Sequence, residues 1–212
     1  MKNILCYGDS LTWGFSPLSE RHAYEDRWPS VLNEQLGWDK ARVINQGLNG
    51  RTTVFDDHGV SPDRNGARIL PTILDTYTPL DLIIIMLGTN DLKNFICANP
   101  MATTRGIGRL IEIIKTFPYF MEGTAPQILV VSPPHVVATD EPIMAEIFQD
   151  SIQKSKQFTG YYAALTELTN TNFFDAASCA KASPIDGVHL DAKNTRAIGK
   201  NIAPTVAKIL NI

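Results

Sequence analysis

Residues 81–91 read DLIIIMLGTND, a run of six apolar side chains stopped by Gly88 and followed by three small polar residues. A strand with one wet face alternates apolar and polar side chains, whereas a strand buried on both faces does not. The run 81–87 is therefore read as an interior strand of a parallel sheet covered by helices on both sides. Working outward, 127–132 (QILVVS) has the same character, and 3–7 (NILCY), 42–45 (RVIN) and 172–175 (NFFD) are shorter candidates. Helical periodicity fills the gaps. Trp28, Val31, Leu32 and Leu36 share a face in 28–36, as do Ile107, Leu110, Ile111 and Ile114 in 103–116. A long pattern over 141–168 is interrupted at Gly160, and 191–210 is a last helix in which Pro204 predicts a kink. Strands alternating with helices imply right-handed crossovers and a doubly wound, three-layer α/β/α sheet in the flavodoxin-like order 2-1-3-4-5.

Composition narrows the function classes. The 212 residues suit one α/β domain spanning 1–212, able to bury a large core without a disulfide framework. The net charge of -3, with no long Lys or Arg run, argues against nucleic acid as partner. Cys6, Cys97 and Cys179 show no CxxC spacing and read as buried thiols of a reducing compartment. The short apolar start is no signal-peptide core and no segment is long enough to span a membrane, so the expected location is the cytoplasm.

Open parallel sheets place their chemistry at the carboxyl ends of the strands. The first strand runs into Gly8-Asp9-Ser10, which puts a serine there. A serine nucleophile needs a base, an acid orienting that base, and donors for the developing oxyanion. His189 follows Asp186 by three residues in Pro184-Ile185-Asp186-Gly187-Val188-His189, so one turn could supply both acid and base. A plain Asp-Gly turn with a surface histidine is the alternative. His135, after Pro133-Pro134, is the rival base, read as pocket wall or surface because no acid stands close before Asp140. His22 and His58 lie in polar loops and are expected to meet solvent. Asn45-Gln46-Gly47-Leu48-Asn49-Gly50 and Gly88-Thr89-Asn90-Asp91 follow the second and third strands, where glycines can turn N–H groups inward. Asp9 and Asp91 are expected to be structural, since a carboxylate beside the nucleophile would oppose an oxyanion. Trp13, Phe15, Phe95 and Ile96 follow these blocks and are candidates for an acyl or aryl pocket, or for core plugs. The 51–66 stretch fits neither period and is read as a functional or disordered loop on the same rim.

Four blocks in this order, Gly8-Asp9-Ser10-Leu11, the glycines of 45–50, Gly88-Thr89-Asn90-Asp91 and Asp186-Gly187-Val188-His189, resemble those of the SGNH hydrolases, the GDSL esterase superfamily. LCYGDSLTWG, Arg27-Trp28, GLNGRTT, Thr78-Pro79-Leu80-Asp81, IIMLGTND, LVVSPP and FFDA extend the likeness along nearly the whole chain to the bacterial aryl esterase and acyltransferase/perhydrolase branch. The resemblance implies Ser10 as nucleophile, His189 as base and Asp186 as its orienting acid. It also implies oxyanion donors from the Ser10 N–H, the Gly50 N–H and the Asn90 amide. Gly50 stands where such relatives can carry Ala, and His135 is a departure that bears on pocket shape. Small acyl esters would be the substrates, with acyl transfer to alcohols or peroxide beside hydrolysis and neither metal nor cofactor. A homo-oligomer, up to an octamer whose neighbours wall the site, would be the assembly, with Val54, Phe55, Phe95 and Ile96 available for its interfaces. The rival expectations are a carbohydrate O-acetylesterase, a non-catalytic flavodoxin-like binding module, and a metal-dependent hydrolase, the last weakened by the lack of a second His-acid set at ligand spacing.

Overall fold

The computed structural model describes residues 1–120 and 124–212. Five parallel strands, β1 (Lys2–Gly8), β2 (Ala41–Gly47), β3 (Leu82–Met86), β4 (Gln127–Ser132) and β5 (Asn172–Asp175), form one sheet in the order β2-β1-β3-β4-β5. This is the doubly wound order expected from the sequence. Strands β4 and β5 have the expected bounds; β1 and β2 run slightly further and β3 stops one residue short at each end.

Side chains alternate across the pleat and feed two cores. Ile4, Cys6, Leu82, Ile84, Met86, Leu129 and Val131 point to one face. There they meet Trp28 and Leu32 of α2 (Trp28–Leu36) and Ile198, Ile202 and Val206 of α8 (Ala192–Leu210). Leu5, Tyr7, Ile83, Ile85, Ile128 and Val130 point to the other face. That face is covered by α3 (Gly66–Tyr77), α4 (Pro100–Thr116) and α7 (Phe158–Thr169). Both faces of β3 are fully covered, which is why its sequence shows no alternation.

The helices depart from expectation in places. The 141–168 pattern is three helices, α5 (Pro142–Ile147), α6 (Ser151–Lys156) and α7. The first break lies at Asp150, whose left-handed backbone (φ 63°) no α-helix accommodates, while Gly160 sits inside α7 with open space around it. Helix α3 escapes the periodicity reading, because Pro71 falls in its middle and its start is set by Asn65, whose side chain accepts from the Arg68 N–H at 3.2 Å. Helix α8, expected over 191–210, spans Ala192–Leu210 with Pro204 in its interior. Helix α4 begins at Pro100, capped by the Asn99 carboxamide, three residues before the expected start at 103.

Segment 51–66 is ordered by polar contacts. Arg64 pairs with Asp57 at 2.8 Å, Arg68 with Asp56 and Asp63 at 2.7 and 3.0 Å, and the Asn65 amide donates to the Val54 carbonyl at 2.7 Å. At its root the buried Arg51 donates to the Gly8 carbonyl and lies 4.1 Å over the Tyr7 ring. The loop is thereby clipped to the carboxyl end of β1. Among the described residues no helix is long and apolar enough to cross a membrane.

Candidate active site

Strand β1 ends at Gly8, and the chain turns at once into the short helix α1 (Ser10–Trp13). The Asp9 carboxylate caps it, Oδ1 accepting from the Leu11 N–H at 2.9 Å, so Ser10 stands at the start of its first turn. Strand β2 must pass close beneath: a Cβ at Gly47 would lie 2.1 Å from the Trp13 nitrogen. Only glycine fits there, and its absence would push Ser10 off the sheet edge.

The 183–190 turn supplies the next two groups. It is closed by bonds from the Gly187 N–H to the Ser183 carbonyl and from the Ser183 N–H to the His189 carbonyl, both 2.8 Å, with Gly187 left-handed at φ 78°. Asp186 Oδ1 accepts from the Val188 and His189 N–H groups at 3.0 and 2.9 Å, while Oδ2 lies 2.6 Å from His189 Nδ1. His189 Nε2 is 3.0 Å from Ser10 Oγ. Burial alone would raise the Asp186 carboxyl; the His189 ring and the two N–H donors outweigh it and hold it below the usual carboxylate range. A carboxylate on Nδ1 fixes the tautomer in which Nε2 is free to accept from the serine hydroxyl. A hydroxyl so placed can lose its proton as it attacks an electrophilic carbon. Phe15 packs against the imidazole, centroids 4.6 Å apart.

Of the other histidines, His58 is exposed as expected. His22 departs from expectation: its Nε2 bonds to the Leu190 carbonyl at 2.8 Å, bracing the residue after His189. His135 is half-buried, its Nε2 has no partner among the described residues, and it does not line the cavity over Ser10.

Gly50 and Asn90 reach the same cavity. Gly50 has φ 81°, a backbone that suits glycine, and its N–H meets no acceptor among the described residues. Asn90 Nδ2 lies 3.2 Å from the Arg51 carbonyl and 3.4 Å from Asp9 Oδ2, long bonds that hold the amide at the floor of the site. Asp91 turns away from the cavity and accepts from the Thr53 N–H and hydroxyl, tying the 51–66 loop to β3. Both acids are fully buried. Burial pushes Asp9 up to about 6, against the Leu11 N–H, and Asp91 up to about 7, against its bonds from Thr53.

The cavity over Ser10 holds about 170 Å³. Phe15, Met144, Ile147, Phe148 and Val188 form its apolar side; Asn49, Arg64 and Lys93 form its polar side. A larger groove of about 560 Å³ shares Met144, Phe148 and Val188 with it and runs behind Asp186 between the 136–139 loop and α6. It holds neither Ser10 nor His189, so the smaller cavity is the one fitted to the chemistry. Of the aromatic candidates only Phe15 lines that cavity. Trp13 lies beside Phe15, covered by the Arg21 guanidinium 4.2 Å from its ring. Phe95 is 58% exposed and Ile96 half-buried, both away from Ser10. Arg64, Lys93 and the Met144–Phe148 wall come from loops and a short helix whose sequences give no local sign of reaching the site.

Residues 6–196 match the model of the GDSL-like lipase/acylhydrolase family. The chain is similar to the crystal structure of a carbohydrate acetylesterase family member from Sinorhizobium meliloti, with 48% identity, full coverage of both chains and a TM-score of 0.98. It is similar to a second carbohydrate acetylesterase from that species at 38% identity, covering 99% of this chain and 100% of the other with a TM-score of 0.94. A native aryl esterase of M. smegmatis aligns at 40% identity over 99% of this chain and 100% of its own, TM-score 0.94. No curated protein matches the chain.

Proposed function

The chain belongs to the GDSL-like lipase/acylhydrolase family, and from that premise we propose a serine esterase of short acyl esters in which Ser10, His189 and Asp186 are the catalytic triad. The observation that carries this reading is the continuous chain Ser10 Oγ–His189 Nε2 at 3.0 Å and His189 Nδ1–Asp186 Oδ2 at 2.6 Å, at the carboxyl edge of a parallel sheet.

Ser10 Oγ attacks the ester carbonyl while His189 Nε2 takes its proton, and Asp186 stabilises the imidazolium that forms. The Ser10 and Gly50 N–H groups and the Asn90 amide receive the oxyanion. Collapse of the tetrahedral intermediate expels the alcohol, which leaves with the proton held on His189. Water, activated by the same nitrogen, then attacks the acyl-enzyme and releases the acid. Asn90 shifts from its long bonds to Arg51 and Asp9 onto the oxygen as charge develops there. Labelling by a fluorophosphonate, mapped to Ser10 by peptide mass spectrometry, tests the assignment. An active chain labelled elsewhere would remove Ser10.

Carbohydrate O-acetylesters are a second substrate reading, supported by the Sinorhizobium meliloti relatives. It differs in the alcohol alone, and a panel of acetyl esters of sugars and phenols separates the two. Acyl transfer to alcohols or peroxide, a homo-oligomer as large as an octamer, one domain over 1–212 and a cytoplasmic setting belong to the same proposal. The open rim of the small cavity favours shielding by neighbouring subunits, and three free cysteines, of which Cys6 is buried while Cys97 and Cys179, against expectation, are only half-buried, suit a reducing compartment. Light scattering should give a mass several times that of the chain, and product analysis with a primary alcohol present should show ester beside acid.

A further inference from the structure

The polar side of the cavity carries Arg64 and Lys93, and among the described residues no acidic side chain lines it, in a chain whose net charge is -3. The nearby carboxylates are engaged elsewhere. Asp57 bonds Arg64 Nη1 at 2.8 Å, Asp186 faces His189, Asp9 caps Leu11, and Asp91 serves Thr53. Lys93 Nζ has no carboxylate within ion-pair distance among the described residues, although the lysine is half-buried, and it lies 5.8 Å from the Phe95 ring centroid. Burial and the neighbouring Arg64 guanidinium lower its pKa, outweighing the opposing pull of the Asp57, Asp9 and Asp91 carboxylates, none of which bonds it directly. Two further polar atoms on this side, Arg64 Nε and Asn49 Oδ1, are buried without a partner among the described residues. An orphaned buried polar atom costs roughly 1–3 kcal/mol. A ligand group bearing charge and several acceptors would satisfy the arginine and the lysine, and the Asn49 amide, turned end for end, offers it a further donor.

Geometry divides the substrate between the two sides. His189 must return its proton to the alcohol oxygen, and the groups around the imidazole, Phe15 and Val188, are apolar. Arg64 lies against Gly50, where a Cβ would come within 2.5 Å of the guanidinium carbon, on the side of the oxyanion donors and away from the base. With the alcohol oxygen turned to His189 Nε2, an acyl chain leaving the carbonyl carbon away from the base would run along that side. At about 170 Å³ the cavity falls below the ~300 Å³ from which drug-sized pockets start, so the acyl chain must be short.

Resting on the esterase reading, we infer that Arg64 and Lys93 bind a carboxylate at the far end of the acyl half, making short dicarboxylic half-esters the preferred substrate class. The bonds made and broken are those of ordinary ester hydrolysis: the alcohol leaves with the proton from His189, and water releases the free dicarboxylate from Ser10. The test compares 4-nitrophenyl hydrogen succinate with 4-nitrophenyl butyrate, which share a leaving group and differ in a terminal carboxylate against a methyl. The readout is the ratio of their kcat/KM values at low ionic strength, after subtraction of spontaneous hydrolysis. The ratio should exceed one in the natural chain, fall about 10- to 100-fold in Lys93→Met and in Arg64→Gln, and recover in Lys93→Arg. With the unaltered protein, succinate should inhibit butyrate-ester hydrolysis competitively and more strongly than butyrate does, a result that needs no variant to fold. Butyrate-ester hydrolysis with a ratio below one, or equal inhibition by the two acids, overturns the carboxylate site and leaves the esterase standing. No hydrolysis of either ester overturns both.

Discussion

The two sides of the cavity are built to different standards of rigidity. Ser10, Asp186 and His189 stand on turns welded to strand ends by backbone hydrogen bonds, and Asp186 alone accepts three bonds from its own turn. The facing wall is the six-residue helix α5, which has no buried residue and leaves Ile143 66% exposed, together with the buried Phe148 that follows it. What holds it is a small cluster, Val136, Phe148 and Val188, and two bonds from Asn94, its N–H to the Ile147 carbonyl and its amide to the Glu146 carbonyl, both 2.9 Å. Chemistry here is anchored in the sheet, and shape is hung from a peripheral element of low local stability. Substitutions on the first side should therefore change rate, and on the second, preference.

The sharpest attempt to break that contrast is Ser10→Ala. Ester hydrolysis should drop by roughly 10⁴-fold or more with the fold unchanged by circular dichroism, because the remaining donors and binding supply only residual rate. Activity above about a tenth of the original would remove Ser10 as nucleophile. Next in size, Asn90→Ala should lower kcat by roughly 10²–10³ with little change in KM, the scale of losing one oxyanion donor. A raised KM at constant kcat would move Asn90 to ground-state binding.

A third variant probes the cost of the rigid side. Asp9 ionises near 6 in the folded chain, above its unfolded value near 4, so the native state holds its proton over a pH range in which the unfolded state has released it. Stability then falls as pH rises from about 4 to about 7, and Asp91 adds to the fall in the same direction. Asp9→Asn keeps an acceptor for the Leu11 N–H and removes the charge. Denaturant unfolding at pH 5 and pH 7.5 should show the gap between them shrink by on the order of 1 kcal/mol in the variant. An unchanged gap would mean that Asp9 is ionised without penalty.

The smallest effects test the pendant wall. Phe148→Ala should raise KM for a short aryl ester about tenfold with kcat within about threefold, since it removes contact area and leaves the triad alone. Phe95→Ala, outside the cavity, should change either constant less than about twofold. A large kcat loss in Phe148→Ala would join the two sides into one unit.

The same contrast decides what could be read from residues. Ile83, Ile85 and their neighbours announce a doubly covered strand because burial on both faces leaves nothing to alternate. Gly8-Asp9-Ser10 and Asp186-Gly187-Val188-His189 are legible because their groups act within a few residues of each other. Arg64 is different. It reaches the site through its pairing with Asp57 and the clip between Thr53 and Asp91, contacts that span up to 38 residues and have no period. Helix α3 was hidden by Pro71, and the break at Asp150 lacks the glycine that would have marked it. Trp13, Phe95 and Ile96 share their aromatic or aliphatic character with real wall residues, and only the path of the backbone separates them from Phe15.

Gly50 carries no functional group, yet it governs one. The guanidinium of Arg64 occupies the space that a methyl at position 50 would need, 2.5 Å from Arg64 Cζ and 2.6 Å from Nε. The far end of an arginine swings easily, so an alanine there would evict the cation before it unfolded the chain, adding only the strain of a left-handed backbone at φ 81°. A single hydrogen-to-methyl exchange can thus retune which acids the cavity welcomes while the nucleophile, base and backbone donors stay where they are. In a lineage, such a position is a hinge of divergence: selectivity can drift there at small cost to folding, and drift back.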